Sequence, residues 1–221
     1  MKNLIRSYHT FLPGNYRWVK DLLYLLYPVC GIFGGLLFLR VFGEEDFLIV
    51  ESMMVGCGIL YFELLFDYFV FGGIASKEKD RLEYLKTSVE GKDVLRKGLF
   101  MDAIRRFISA FVILCGAYFS GTCIGKDQGD GEFGLRQIFV TVLLIFLLQE
   151  IAFCITRIFE QIWVRILVIQ VIVTPFMMLY FTIMDLFFFI PEMIVLVILS
   201  AAFLWLHIKQ VFRRWKLSYQ D

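Results

Sequence analysis

The chain has 221 residues, of which 59% are hydrophobic, 18% aromatic and only 19% charged. Soluble domains average about 45–50% apolar and about 25% charged residues, so a single water-soluble core cannot hide this excess, and a disordered chain is excluded as well. Formal net charge is +1, from 22 Lys+Arg against 21 Asp+Glu, so no global basic excess points to nucleic acid. The composition predicts an all-α integral membrane protein.

In chain order, Leu4, Ile5, Tyr8, Phe11 and Leu12 recur at helical spacing beside Lys2 and Arg6. They predict an N-terminal interfacial helix within residues 1–20, broken at Pro13-Gly14, with a second short piece from Tyr16 to Lys20. Apolar stretches of about 20 residues suit a hydrocarbon core about 30 Å thick. Six such spans are read at 22–42, 47–74, 104–124, 136–156, 162–182 and 188–208. The first is too long for a cleavable signal core. The last two are nearly continuous. Pro175, Asp185 and Pro191 interrupt them, and the split is placed near Leu186. No alternation of period two suggests a β-barrel, and no linker divides the chain, so residues 1–221 are read as one transmembrane domain.

The Lys and Arg residues fall 19 on the side of the termini and 3 (Arg40, Lys126, Arg136) on the other, which predicts a cell-membrane protein with both termini cytoplasmic. Trp18, Trp163, Trp205 and Trp215 sit near span ends, as interfacial anchors do. Cys30, Cys57, Cys115, Cys123 and Cys154 form no CxxC and read as small buried hydrophobes.

The cytoplasmic loop 76–103 is the largest polar block. It reads as two helical pieces, about Glu78 to Thr87 and Lys92 to Arg105, separated at Gly91, with Asp93 able to cap the second. Leu82, Tyr84 and Leu85 make an apolar ridge, and Lys79, Glu83 and Lys86 surround it with mixed charge. Such a helix can lie on lipid or enter a groove on a soluble partner.

The run Glu78, Leu82-Glu83-Tyr84-Leu85-Lys86-Thr87-Ser88-Val89, then Val94-Leu95 and Lys97-Gly98-Leu99, resembles the loop after the second span of ABC-2 type ABC-transporter permeases. The layout of an amphipathic N-terminus, six spans and a polar block after span two resembles the same family across the chain. The resemblance implies a permease subunit of an exporter moving small amphipathic cargo (peptide, drug or lipid). An ATP-binding cassette protein would dock on Lys79, Leu82, Glu83, Tyr84, Leu85, Lys86 and Ser88. Further partners would be a second permease copy or a sister permease, and membrane lipid. It implies no cofactor on this chain, with ATP and Mg on the partner cassette. Only about Thr182 to Glu192 is available for the extracytoplasmic re-entrant element usual in that family.

Within the spans, Glu63 and Asp67 share a helix face, with Glu51 three turns earlier, and Gln149-Glu150 interrupt span four. No Lys or Arg is read at matching depth, so these five residues are expected either to form a polar stripe along a translocation path or subunit interface, or to be protonated and hydrogen-bonded between helices. Gly31 and Gly35 form a GxxxG pair that permits close helix packing. HExxH, GxSxG and Walker A are absent, and His9 and His207 lie far from any Cys or carboxylate cluster in sequence, so the chain is read as no enzyme. The alternatives are a six-span substrate-binding subunit of a vitamin importer and a non-transporting membrane scaffold or immunity protein.

Overall fold

The structure, a computed structural model, describes residues 2–12, 26–34, 36–37, 47–71, 85, 88–124, 131–157, 159, 161–185 and 189–217. The described elements are all helical: α1 (Lys2–Phe11), α2 (residues 26–34), α3 (Phe47–Phe71), α4 (Gly91–Ile124), α5 (Gly131–Thr156), α6 (Ile162–Asp185) and α7 (Phe189–Leu217). Two stretches, Ile138–Thr156 in α5 and Met193–Arg213 in α7, are long and apolar enough to cross a membrane; the apolar stretch Ile162–Pro175 is shorter.

α5 is the central helix and packs on α3, α4, α6 and α7. Its side chains are almost all buried from Ile138 onward, because different stripes of the helix meet different neighbours. Ile138, Val142 and Ile145 pack with Ile59, Ala110, Ile113 and Leu114 of α3 and α4. Leu148, Ala152 and Phe153 pack with Leu60 and Leu64 of α3 and Ile169 and Val173 of α6. Val140, Leu143, Leu144 and Leu147 pack with Leu196 of α7. A helix apolar on all sides is stable only when covered on all sides.

The peripheral helices do the reverse. α7 exposes Ile194, Val195, Val197, Ile198, Leu199, Trp205 and Leu206, and α6 exposes Trp163, Leu167 and Val171. Phe33 and Leu37 are exposed in the α2 region.

α4 joins two pieces that the sequence reads as separate elements. The second loop piece and the third span are one continuous 34-residue helix. No proline interrupts residues 91–124, and Asp102 bonds forward to Arg105 and Arg106 at helical spacing, so nothing in the sequence stops the helix at the expected boundary. Its start is a tight corner: the Gly91 amide donates to Ser88 O at 3.1 Å, and the Val94 amide to Glu90 O at 3.0 Å. A Cβ on Gly91 would lie 1.6 Å from the Leu85 carbonyl oxygen, so only glycine fits there. Asp93 sits in the first turn, where a carboxylate meets the positive helix end, and it pairs with Lys97.

α1 forms as expected and bends at Leu12, but its apolar face serves the protein as well as any interface. Tyr8, Phe11 and Leu12 are buried with Phe66, Val70 and Phe71 of α3, Leu85, Leu95 and Leu99, and Val211 of α7. Of the apolar residues in this helix face, Ile5 is exposed and Leu4 is half-buried. The expected piece from Tyr16 to Lys20 lies outside the described residues.

α6 passes through Pro175 to Asp185, and α7 begins at Phe189, which leaves residues 186–188 between them. Pro191 lies in the first turn of α7, where its missing N–H has no helical partner to lose. Gly31 of α2 faces α4 so closely that a Cβ would lie 2.3 Å from Ile113 O, and a Cβ on Gly116 would lie 2.9 Å from Pro28 O. The GxxxG glycine thus serves packing within the chain; Gly35 lies outside the described residues.

Candidate functional site

Ionisable side chains from five helices, and from the segment joining α5 to α6, converge inside one end of the bundle. Glu63 and Asp67 come from the last turns of α3. Asp102, Arg105 and Arg106 come from the first half of α4, and Glu150 from the end of α5. Arg157 follows α5, Arg165 opens α6, and His207 lies in the C-terminal half of α7. All are buried, from 0% exposure at Glu150 to 7% at Arg157.

Isolated buried charges cost several kcal/mol each, so such a group persists only if each charge finds a partner. Arg105 forks onto Glu63, with Nη1 donating to Oε1 at 2.9 Å and Nη2 bonding Oε2. The same Nη2 reaches Asp102 Oδ1 at 3.1 Å. Arg106 Nε donates to Asp102 Oδ2 at 3.0 Å, and its Nη2 lies 2.8 Å from Glu150 Oε1, an ion-pair contact off the hydrogen-bond axis. Arg157 Nε donates to Asp67 Oδ1 at 3.1 Å, its Nη2 bonds the same oxygen, and Arg165 Nη1 lies 3.7 Å from Asp67 Oδ2. Four carboxylates and four guanidinium groups therefore balance. Asp102 is the hub: Arg105, Arg106, the more distant Arg157 at 3.9 Å and the Tyr8 hydroxyl at 3.3 Å all address it.

His207 bridges Glu150 and Arg157. Its Nδ1 lies 2.8 Å from Glu150 Oε2, and its Nε2 meets Arg157 Nη1. A guanidinium can only donate, so Nε2 accepts and the ring proton sits on Nδ1, donating to Glu150. Aromatic faces cover the arginines: Arg105 lies 4.4 Å from the Phe66 ring centre, Arg106 4.6 Å from Phe153, and Arg157 4.9 Å from Phe71. Stacking on ring faces compensates part of the water these cations lose. The Ser109 hydroxyl lies 2.9 Å from Arg106 O and 3.2 Å from Glu63 Oε1 and donates to one of them at a time.

This overturns the premise that no Lys or Arg is placed to meet Glu63, Asp67 and Glu150: each is paired with an arginine, Arg105, Arg157 and Arg106 respectively. Gln149 is fully buried, and neither of its amide atoms has a partner among the described residues. Glu51 falls in α3, and its side chain lies outside the described residues.

The expected docking set is split. Lys79, Leu82, Glu83, Tyr84 and Lys86 lie outside the described residues. Ser88 is exposed at the corner before α4, where its Oγ accepts from the Glu90 amide at 3.3 Å. Leu85 is 5% exposed and packs in the cluster of Phe71, Leu95, Leu99 and Val211, so its side chain belongs to the interior and not to an outward ridge.

Sequence reasoning missed Asp102, Arg105, Arg106, Arg157, Arg165 and His207 as one group: the four arginines were counted only as charges on the side of the termini, and His207 only as a histidine far in sequence from any carboxylate cluster. A usable signal was present: Arg157 and Arg165 stand within strongly apolar neighbourhoods, where a charge calls for an internal partner. Of the cysteines, Cys57 and Cys115 pack beside apolar clusters, Cys154 Sγ contacts Gln210 Oε1 at 3.0 Å, and Cys30 is exposed. Among the described residues no group of three or more His, Cys, Asp or Glu is placed to hold a metal ion. No protein-family model, no curated protein and no solved structure matches the chain.

Proposed function

We propose that the chain is a six-span membrane protein, with both termini and the ionic cluster on the cytoplasmic side, acting as the permease subunit of an ATP-driven exporter. The observation that carries the membrane reading is the inversion of apolar surface. The central α5 is enclosed, while α7 turns Ile194, Val195, Val197, Ile198 and Leu199 outward. A contiguous exposed apolar face of this kind calls for lipid or a partner.

Support for the permease reading comes from the layout. The N-terminal amphipathic helix α1 is seated on α4, the helix that continues from the polar loop into the bundle. A push on the loop would therefore reach α4 directly, and with it Asp102, Arg105 and Arg106. Energy would come from a separate ATP-binding cassette docked on the loop around residues 79–88, less Leu85. The ionic cluster would close the cytoplasmic end in the resting state, and exchange of arginine partners would accompany opening as a rigid-body switch.

The test is affinity purification in mild detergent from the native host, with mass spectrometry of bound proteins. A stoichiometric cassette, lost on combined Glu83→Lys and Lys86→Glu reversal, supports the reading. One observation favours a second reading, a non-transporting membrane scaffold: the four buried carboxylates are already matched by arginines of the same chain. That reading expects no cassette and no ATP-dependent cargo movement in proteoliposomes.

A further inference from the structure

Where the start of α4 meets the end of α7, exposed cations collect without acidic partners. Lys92, Arg96, Lys209 and Arg213 are all exposed. The Arg96 guanidinium lies 5.8 Å from the centre of the Phe212 ring. That contact brings Arg96 beside α7 at the turn carrying Lys209 and Arg213, which flank Phe212 in sequence. Lys92 lies one turn before Arg96 on the same face of α4. The nearby Asp93 is engaged by Lys97, and none of the four cations has a carboxylate partner among the described residues.

The same face of α7 changes character along its length. Ile194, Ile198 and Trp205 are exposed at helical spacing, and Lys209 and Arg213 continue that stripe. Lys209 Nζ lies 4.9 Å over the Trp205 ring. An apolar stripe that ends in an indole and then in cations is the profile of a helix leaving hydrocarbon through a headgroup layer.

We propose that Arg96, Lys209 and Arg213, with Lys92 beside them, hold the phosphate of an anionic phospholipid whose acyl chains lie along Ile194, Ile198 and Trp205. The proposal rests on the membrane reading above. Its basis is charge complementarity: clustered cations above an apolar stripe match a phosphate above acyl chains. Zwitterionic lipid offers the same chains without net negative charge, so the site discriminates by headgroup.

The experiment uses the full-length chain purified in detergent and titrated with phosphatidylglycerol or phosphatidylcholine, bound lipid being counted by native mass spectrometry. Wild type is expected to retain phosphatidylglycerol and release phosphatidylcholine. Each of Arg96→Gln, Lys209→Gln and Arg213→Gln should weaken retention about five-fold, and the triple variant on the order of a hundred-fold, from the headgroup attraction of one cation each. Lys97→Gln, whose charge is already engaged by Asp93, should change little. These residues are exposed, and an unchanged melting temperature verifies folding of each variant. Equal retention of both lipids by wild type, or full retention by the folded triple variant, overturns the lipid site. Alkaline carbonate extraction of native membranes separates the two ideas. A protein that stays in the membrane but shows no headgroup preference defeats only the lipid site, whereas release into the supernatant defeats the membrane reading and the lipid site with it.

Discussion

Glu63→Gln tests whether the ionic cluster holds the bundle end together. Glu63 is 1% exposed and receives both arms of Arg105, which is 2% exposed. The substitution removes one charge and leaves Arg105 to share Asp102, which already serves Arg106 and the Tyr8 hydroxyl. Removing one partner of a buried pair costs about 3–5 kcal/mol, because the remaining charge stays desolvated. For a chain of this length, that corresponds to a fall in Tm of about 6–20 °C. Arg105→Gln should cost a similar amount, since it strands Glu63. The double variant leaves neither charge unpaired, so its loss should fall short of the summed single losses by about 2 kcal/mol or more. The assay is thermal unfolding in detergent micelles followed by tryptophan fluorescence. Single losses below about 0.5 kcal/mol, or a double variant equal to the sum, would refute the pairing.

Other perturbations probe separate parts of the structure. Gly31→Ala should lower Tm and disturb the seating of α2 on α4, because its Cβ would meet Ile113 O at 2.3 Å; Gly58→Ala, which meets open space, should be neutral or stabilise by up to about 1 kcal/mol through helix propensity. Thermal melts of the pair check this, and equal effects would contradict it. Gly91→Ala should open the corner before α4 and raise the rate of limited proteolysis between residues 85 and 95, since its Cβ would lie 1.6 Å from Leu85 O. Leu85→Asp buries a charge with no partner in the Phe71, Leu95 and Leu99 cluster and should cost about 3 kcal/mol or more, so it lowers Tm as well as any partner binding. An unchanged melt with selective loss of a partner would return Leu85 to an outward role.

The helices were legible because their apolar runs are long and their breaks carry specific residues. The expected boundaries at 47, 156 and 162 coincide with helix ends, and the break placed near Leu186 falls between Asp185 and Phe189. The continuity of α4 was not legible, because a charged segment and an apolar segment look like different elements even when one hydrogen-bond ladder runs through both. The fate of Leu85 and of the α1 apolar face was hidden for a related reason. Amphipathic spacing shows that a face must be covered, but not whether lipid, a partner or the chain itself covers it. The ionic cluster was half visible. Glu63, Asp67 and Glu150 stood out as carboxylates in apolar runs. Their partners lie 42, 90 and 44 positions away in sequence at Arg105, Arg157 and Arg106, where no local pattern could match them.

Side-selective cysteine labelling in native membranes tests the central claim most directly. In a background with the five native cysteines replaced, single cysteines would be placed at Ser88, at Gln128 and at Gln220. The account predicts that a membrane-impermeant maleimide applied to intact cells labels only the Gln128 position, and that Ser88 and Gln220 react only after the membrane is opened. Labelling of all three positions from one side, or recovery of the protein without detergent, would contradict a six-span bundle with its ionic end in the cytoplasm.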